Sequence, residues 1–262
     1  MEIKYIARWQ PKAGSTEREC EDAYWPPRLS YEGKSSTFRC AVADGATESA
    51  FSQFWAKILV RHFCERRSSV TRQSPDQFID EIETKHSQVW SKHAFNQPLE
   101  WFAIEKVSRG SFASLTGIEL RQNVNDESKG GNWEAITIGD SCLFQIRDDK
   151  LITNMPISDP DDFGYHPQLI STDPAKNEVL RNNVTKLAAK GNWQTGDRFL
   201  LITDALAHWF LSADKSEKQP WLELTDNLAS QKTFEQWIEQ IRKTEQLRND
   251  DVTAVSILVF DN

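Results

Sequence analysis

The sequence predicts an α+β fold in which largely antiparallel strands pack against amphipathic helices. Three observations lead there. Strand-like runs such as "FRCAVAD" and "DRFLLITD" are short and apolar. Other segments carry apolar residues at the three-and-four spacing of one helical face. Finally, "SFASLTGIEL" and "WEAITIG" are joined only by the polar, glycine-rich "RQNVNDESKGGN", which has no helical pattern. That connection is a hairpin, so its strands run antiparallel and are not halves of a βαβ crossover. Helices and strands of this kind bury their apolar faces by layering helix on sheet.

Taken in order, "KYIARWQ" is the first strand, and a short strand-like run follows Glu21 and Asp22. "FRCAVAD" ends at Asp44. A helix capped by Thr47 then places Phe51, Phe54, Trp55, Ile58, Leu59, His62 and Phe63 on one face. "SPDQFIDEIETKHSQVW" opens with a Ser74 cap, Pro75 at the first helical position and Gln77 closing a capping box. Its apolar stripe is Phe78, Ile82, His86 and Val89. After the hairpin, "AITIGDSCLFQIRDDKLI" continues as a meander that turns at Asp148-Asp149. Residues 153–195 hold many Pro, Asp and Asn residues around a short helix in "AKNEVLRNNVTKLAA". They read as a loop-rich insertion within one domain spanning 1–262. "DRFLLITD", the helix "TFEQWIEQIRK" with Phe234, Trp237, Ile238 and Ile241, and the strand "DVTAVSILVF" complete the chain.

Composition narrows the function classes. The 262 residues are ample for a core, and ten tryptophans and fourteen phenylalanines supply bulky side chains for it. The net charge of −8 argues against a nucleic-acid partner, whose phosphates need a basic face, and against attachment to an anionic membrane. No apolar run approaches the roughly 18 residues of a membrane span, and "MEIKYIARWQ" lacks a signal-peptide core. A cytoplasmic location is therefore expected. Cys20, Cys40, Cys64 and Cys142 lie far apart with no C-x-x-C pair, which points to reduced thiols and offers no zinc spacing.

Carboxylates recur at strand boundaries: Asp44, Asp140 and Asp204 end apolar runs, Asp250 and Asp251 precede one, and Glu21-Asp22 precede another. Neighbouring antiparallel strands bring the end of one beside the start of the next, so acids so placed can converge on one sheet edge. Packed together they repel and raise one another's pKa values unless cations neutralise them. Carboxylates, a backbone carbonyl and water suit hard octahedral ions such as Mg2+ or Mn2+.

With these residues assembled, the chain resembles the metal-dependent type 2C serine/threonine protein phosphatases. Its counterparts to the family's motifs are Glu21-Asp22, Asp44-Gly45, Gly139-Asp140-Ser141, Asp204 in "LLITDAL" and Asp250-Asp251-Val252-Thr253, in order over residues 5–260. The resemblance implies an αββα four-layer sandwich of two mainly antiparallel sheets flanked by helices. It implies that Asp44 bridges two metal ions, that the Gly45 carbonyl is a ligand to one, and that Asp204 and Asp250 complete the first ion's shell. Asp22, with Glu21, would hold the second ion partly through water, and Asp140 would serve a third, weaker one. The implied reaction is hydrolysis of phosphoserine and phosphothreonine on a phosphorylated protein by water activated between two Mn2+ or Mg2+ ions roughly 3.5–4 Å apart. A monomer is expected.

Three departures accompany the match. The family's phosphate-binding arginine corresponds to Arg18, which lies four residues before Asp22, one short of the commonest spacing. In a regular strand that slip turns a side chain to the other face, so Arg18 needs a bulge or loop to reach a phosphate. Ala46 stands where some members have a histidine, and Ala205 where a glycine is frequent. A partner-binding relative without activity is therefore a second reading. A haloacid-dehalogenase-like reading of "AVADGAT" fails, because Val42 occupies the nucleophile's position two residues before Asp44.

Overall fold

The computed structural model of the chain describes residues 1–66, 74–96, 98, 101–123, 130–164, 167–244 and 246–260, with side chains except at 101–103 and 184. Six strands form one sheet, in the order β3 (Ser30–Lys34), β1 (Glu2–Gln10), β13 (Val252–Phe260), β12 (Arg198–Ile202), β8 (Cys142–Arg147) and β9 (Lys150–Met155). Five form the other: β11 (Ala188–Gln194), β7 (Gly130–Ile138), β6 (Leu115–Gln122), β4 (Thr37–Ala43) and β2 (Ala23–Trp25). A small ladder joins β5 (Phe112–Ala113) to β10 (Ile170–Ser171). Every described pairing is antiparallel, including the β6–β7 hairpin. That removes the parallel sheet a haloacid-dehalogenase-like enzyme needs. The hairpin's connecting residues 124–129 lie outside the described residues.

The layers follow from the two-residue period of the strands. Along β12, Phe199 and Leu201 join Tyr5, Val42, Ile118 and Val255 in the core between the sheets. Leu200 and Ile202 face the other way, against α6 (Asp204–Lys215), α7 (Pro220–Asn227) and α8 (Gln231–Lys243). On the far side, α1 (Ser52–Glu65), α2 (Pro75–Lys85) and α3 (Ser87–Phe95) seal the five-stranded sheet through Trp55, Leu59, Phe63, Phe78 and Trp90. The order of layers is helix, sheet, sheet, helix. Fully buried side chains such as Phe144 and Trp55 each contribute about 2–3 kcal/mol to holding it.

Several expectations hold in detail. Ser74 Oγ accepts from the Gln77 N–H at 3.3 Å while Gln77 Oε1 accepts from the Ser74 N–H at 3.1 Å, completing the capping box. Asp148 and Asp149, at φ 50° and 55°, turn β8 into β9. The four cysteines are unpaired, and Cys40 and Cys142 are fully buried. Among the described residues no helix is long and apolar enough to cross a membrane.

Others are corrected. The helix expected from Thr47 starts at Ser52, because Phe51 adopts a left-handed conformation (φ 53°) and the Thr47 hydroxyl donates to Glu21 instead of capping. The helix over 74–90 breaks at His86 into α2 and α3; the break shifts the helical phase, burying Trp90 and leaving Val89 exposed. The meander through "IGDS" is not one sheet: Gly139, at φ 89°, lets the chain pass from β7 in one sheet to β8 in the other. Within residues 153–195, β11 pairs along β7 as an edge strand, and the short helix α5 spans only Glu178–Asn182. The strands β3, β10 and β11 and the helices α4 (Trp101–Ser108), α6 and α7 were not anticipated.

Candidate metal centre

Strand direction gathers the acids. Strands β4 and β7 both run antiparallel to β6, so their C-terminal ends, followed by Asp44 and Asp140, lie on the same edge. In the facing sheet, β12 leads into Asp204 beside the start of β13, which Asp250 and Asp251 precede. Asp22 precedes β2, antiparallel to β4. Carboxylate oxygens of Asp44, Asp140 and Asp204 all lie within 4.8 Å of one another, with Asp140 and Asp204 buried.

Local contacts hold each acid in place. Ser114, the residue that separates β5 from β6, brackets Asp44: its N–H donates to the Asp44 carbonyl at 2.8 Å and its hydroxyl accepts the Asp44 N–H at 3.0 Å. The same hydroxyl lies 2.6 Å from Ser141 Oγ, tying Asp44 to the turn that carries Asp140. Asp204 opens α6 with no left-handed backbone at the next residue, so Ala205 fits where relatives favour glycine. The Thr253 N–H donates to Thr203 Oγ1 at 2.9 Å, which in turn donates to Asp22 Oδ2 at 3.0 Å. The other Asp22 oxygen is buried without a hydrogen-bond partner. At Gly45 a side chain is excluded by close approach, since a Cβ would meet Ser52 Cβ at 2.8 Å and the Glu21 carbonyl at 2.9 Å.

Burial and mutual repulsion make the cluster costly to ionise. Burial first, then Asp251 and Asp250, push the Asp22 carboxyl up to about 8, against the opposing influence of the Thr253 and Thr203 hydroxyls. Burial raises Asp44 well above the carboxylate range, with Asp22, Asp140, Asp250 and Asp251 adding to it. Asp140 is raised by burial, an effect that Arg248 opposes. An all-oxygen donor set in this electrostatic state fits hard divalent cations, whose charge would relieve both penalties.

Not every expected residue faces the cluster. Asp22 and Asp250 are within its electrostatic reach. The Glu21 carboxylate is engaged by Ser52 Oγ at 2.5 Å, Thr47 Oγ1 at 2.6 Å and Lys12 Nζ at 3.4 Å. Arg18 is exposed on a 3-10 turn over Glu17–Glu19, so strand alternation does not govern its direction. Asp251 was named in the closing acidic pair without a role of its own, and Arg248 was not singled out. Asp251 is buried and accepts the backbone N–H groups of Lys12 and Glu21, each at 2.7 Å, pinning the segment that leads into Asp22. Arg248 pairs with Asp204 and lies 3.7 Å from Asp250 Oδ2. Its position two residues before Asp250 was the available signal.

A two-sheet sandwich with an oxygen-only acidic centre at one edge defines an α+β protein with the donor set of a divalent-cation site. The family model described as Protein phosphatase 2C matches residues 13–254, and the chain belongs to that family. Its structure is similar to the catalytic domain of the serine/threonine protein phosphatase PstP in complex with two manganese ions, at 18% identity and TM-score 0.55, with both chains covered in full. It is also similar to the Mycobacterium tuberculosis serine/threonine phosphatase PstP/Ppp, at 16% identity and TM-score 0.54 over 100% of each chain. The S. agalactiae serine/threonine phosphatase aligns at 12% identity and TM-score 0.53, over 98% of this chain and 99% of its own. At such identities the likeness speaks for the fold. No curated protein sequence matches the chain. Family and fold are those of metal-dependent protein phosphatases.

Proposed function

We propose that this chain hydrolyses phosphoserine and phosphothreonine on proteins, using Mn2+ or Mg2+ at the acidic edge of the sandwich. The observation that carries the reading is the convergence of Asp44, Asp140 and Asp204 within 4.8 Å inside a Protein phosphatase 2C chain. Asp44, Asp204 and Asp250 would hold one ion, Asp44 and Asp22 a second, and Asp140 a third. Bound there, a pair of divalent ions supplies water of lowered pKa and charge to stabilise the phosphoryl group. The protein's part is positional. Ser114 orients Asp44, the Thr253–Thr203 relay orients Asp22, and Asp251 ties the Lys12–Glu21 segment to the base of β13. The Ala46 side chain has no ionisable group, so protonation of the departing seryl or threonyl oxygen would fall to water.

The test is Mn2+-dependent hydrolysis of p-nitrophenyl phosphate and of a phosphothreonine peptide. The expected result is an active wild type and at least about a 100-fold loss in Asp44→Asn and Asp204→Asn. A wild type that binds the phosphopeptide without hydrolysing it would replace this reading with that of a partner-binding module.

A further inference from the structure

A dianionic phosphoryl group approaching this edge meets a concentration of carboxylates and needs a cation that can turn toward it. Among the described residues, Arg248 is the arginine in ion-pair contact with the acidic centre: its guanidinium pairs with Asp204 and sits 3.7 Å from Asp250 Oδ2. Of the other cations nearby, Lys12 is engaged by Glu21 at 3.4 Å and Thr47 at 3.3 Å, and Arg242 by the carbonyls of Asp250 and Pro11. Arg18, which the sequence offers for the role, is exposed and makes no ion pair with a described residue.

The loop carrying Arg248 is anchored by its backbone, while the side chain is held through its ion pairs with Asp204 and Asp250. Leu247 is buried against the α6–α8 layer, and its N–H donates to the Ile241 carbonyl at 3.2 Å. Arg242 donates to the Asp250 carbonyl and, at 3.0 Å, to that of Pro11, clamping the other end. The Arg248 side chain keeps 47% of its surface exposed, so its head can turn out through solvent once the charge of the two carboxylates is neutralised. A planar guanidinium also matches two phosphoryl oxygens at once, which an ammonium cannot.

We propose that Arg248 is the phosphate-binding residue of this centre, its guanidinium passing from Asp204 and Asp250 to the phosphoryl oxygens when those carboxylates take up a divalent ion. This rests on the phosphatase reading above. Two opposite effects follow from one side chain. The guanidinium competes with the ion for the Asp204 and Asp250 oxygens, so removing it tightens ion binding. It attracts phosphate, so removing it weakens phosphate binding.

The experiment uses the full chain and three variants, Arg248→Ala, Arg248→Lys and Arg18→Ala, each checked for an unchanged circular dichroism spectrum. Mn2+ affinity is measured by titration calorimetry, and inorganic phosphate affinity by titration at saturating Mn2+. KM and kcat are measured on p-nitrophenyl phosphate. For Arg248→Ala, phosphate affinity is expected to fall and KM to rise by about tenfold or more, with kcat within about threefold. Mn2+ should bind it several-fold tighter, and Arg248→Lys should recover part of the phosphate affinity. Unchanged phosphate affinity in Arg248→Ala, weaker Mn2+ binding in that variant, or a loss carried by Arg18→Ala instead would each overturn the assignment while leaving the phosphatase reading intact. A wild type that binds no Mn2+ would overturn both.

Discussion

Replacing Asp22 by asparagine separates what its charge does for an ion from what it does to the fold. The carboxyl is 7% exposed, and burial beside Asp251 and Asp250 holds it at about 8, against an ordinary value of about 3.9. The metal-free folded chain therefore keeps a proton that the unfolded chain releases. Stability from this group is complete below about pH 4, declines as pH rises toward 8, and is level beyond. Relative to a neutral isostere, the deficit is on the order of 4 kcal/mol at pH 7 and a third or so of that at pH 5. The carboxamide oxygen of the replacement could still accept from Thr203 Oγ1 without the charge. In EDTA, Asp22→Asn should raise Tm by about 8 °C at pH 7 and by about 3 °C at pH 5. In MnCl2 the variant should lose most of the wild type's increment, since an anionic oxygen has gone. Differential scanning fluorimetry reads all three quantities. A variant that melts below wild type in EDTA at pH 7, or gains equally at pH 5 and 7, would refute the electrostatic reasoning.

Three further outcomes are expected. Gly45→Ala forces a methyl to 2.8 Å from Ser52 Cβ and should cost about 1–3 kcal/mol in urea denaturation, with weaker Mn2+ binding by calorimetry. Asp251→Ala strands the Lys12 and Glu21 N–H groups and should cost about 2–4 kcal/mol; an unchanged denaturation midpoint would show that those bonds are dispensable. Burial first, then His86, lowers His62 to about 4, so the fold resists a proton that the unfolded chain accepts. The His62 contribution to stability therefore falls as pH drops from about 6.5 toward 4, and His62→Gln should flatten that part of the pH profile in urea midpoints.

Much of the centre was legible because its chemistry is local. An aspartate closing an apolar strand, a glycine beside it, and a capping box over Ser74–Gln77 are each written in a few consecutive residues. α6 was legible too, and was missed: Ala205, Leu206, Trp209 and Phe210 share a helical face, but Asp204 was taken as the end of a strand when it is the start of a helix. The split at His86 and the sheet exchange at Gly139 are harder. A single residue's backbone conformation decides them, and the flanking hydrophobic pattern reads the same either way.

The antiparallel hairpin, the layering of helices on sheets and the acids at strand ends were determined by the sequence itself, through short-range periodicity and turn chemistry. What those acids face was decided only by the tertiary structure. Glu21 turns to Ser52 and Thr47, Asp251 reaches across 230 positions to the Glu21 N–H, and Arg248 finds Asp204. Such partners meet because two sheets stack and bring one edge of each together, and no window of sequence contains both members of the longer pairs. The identity of a carboxylate is a local property, whereas its charge state and its ligand depend on what the fold packs around it.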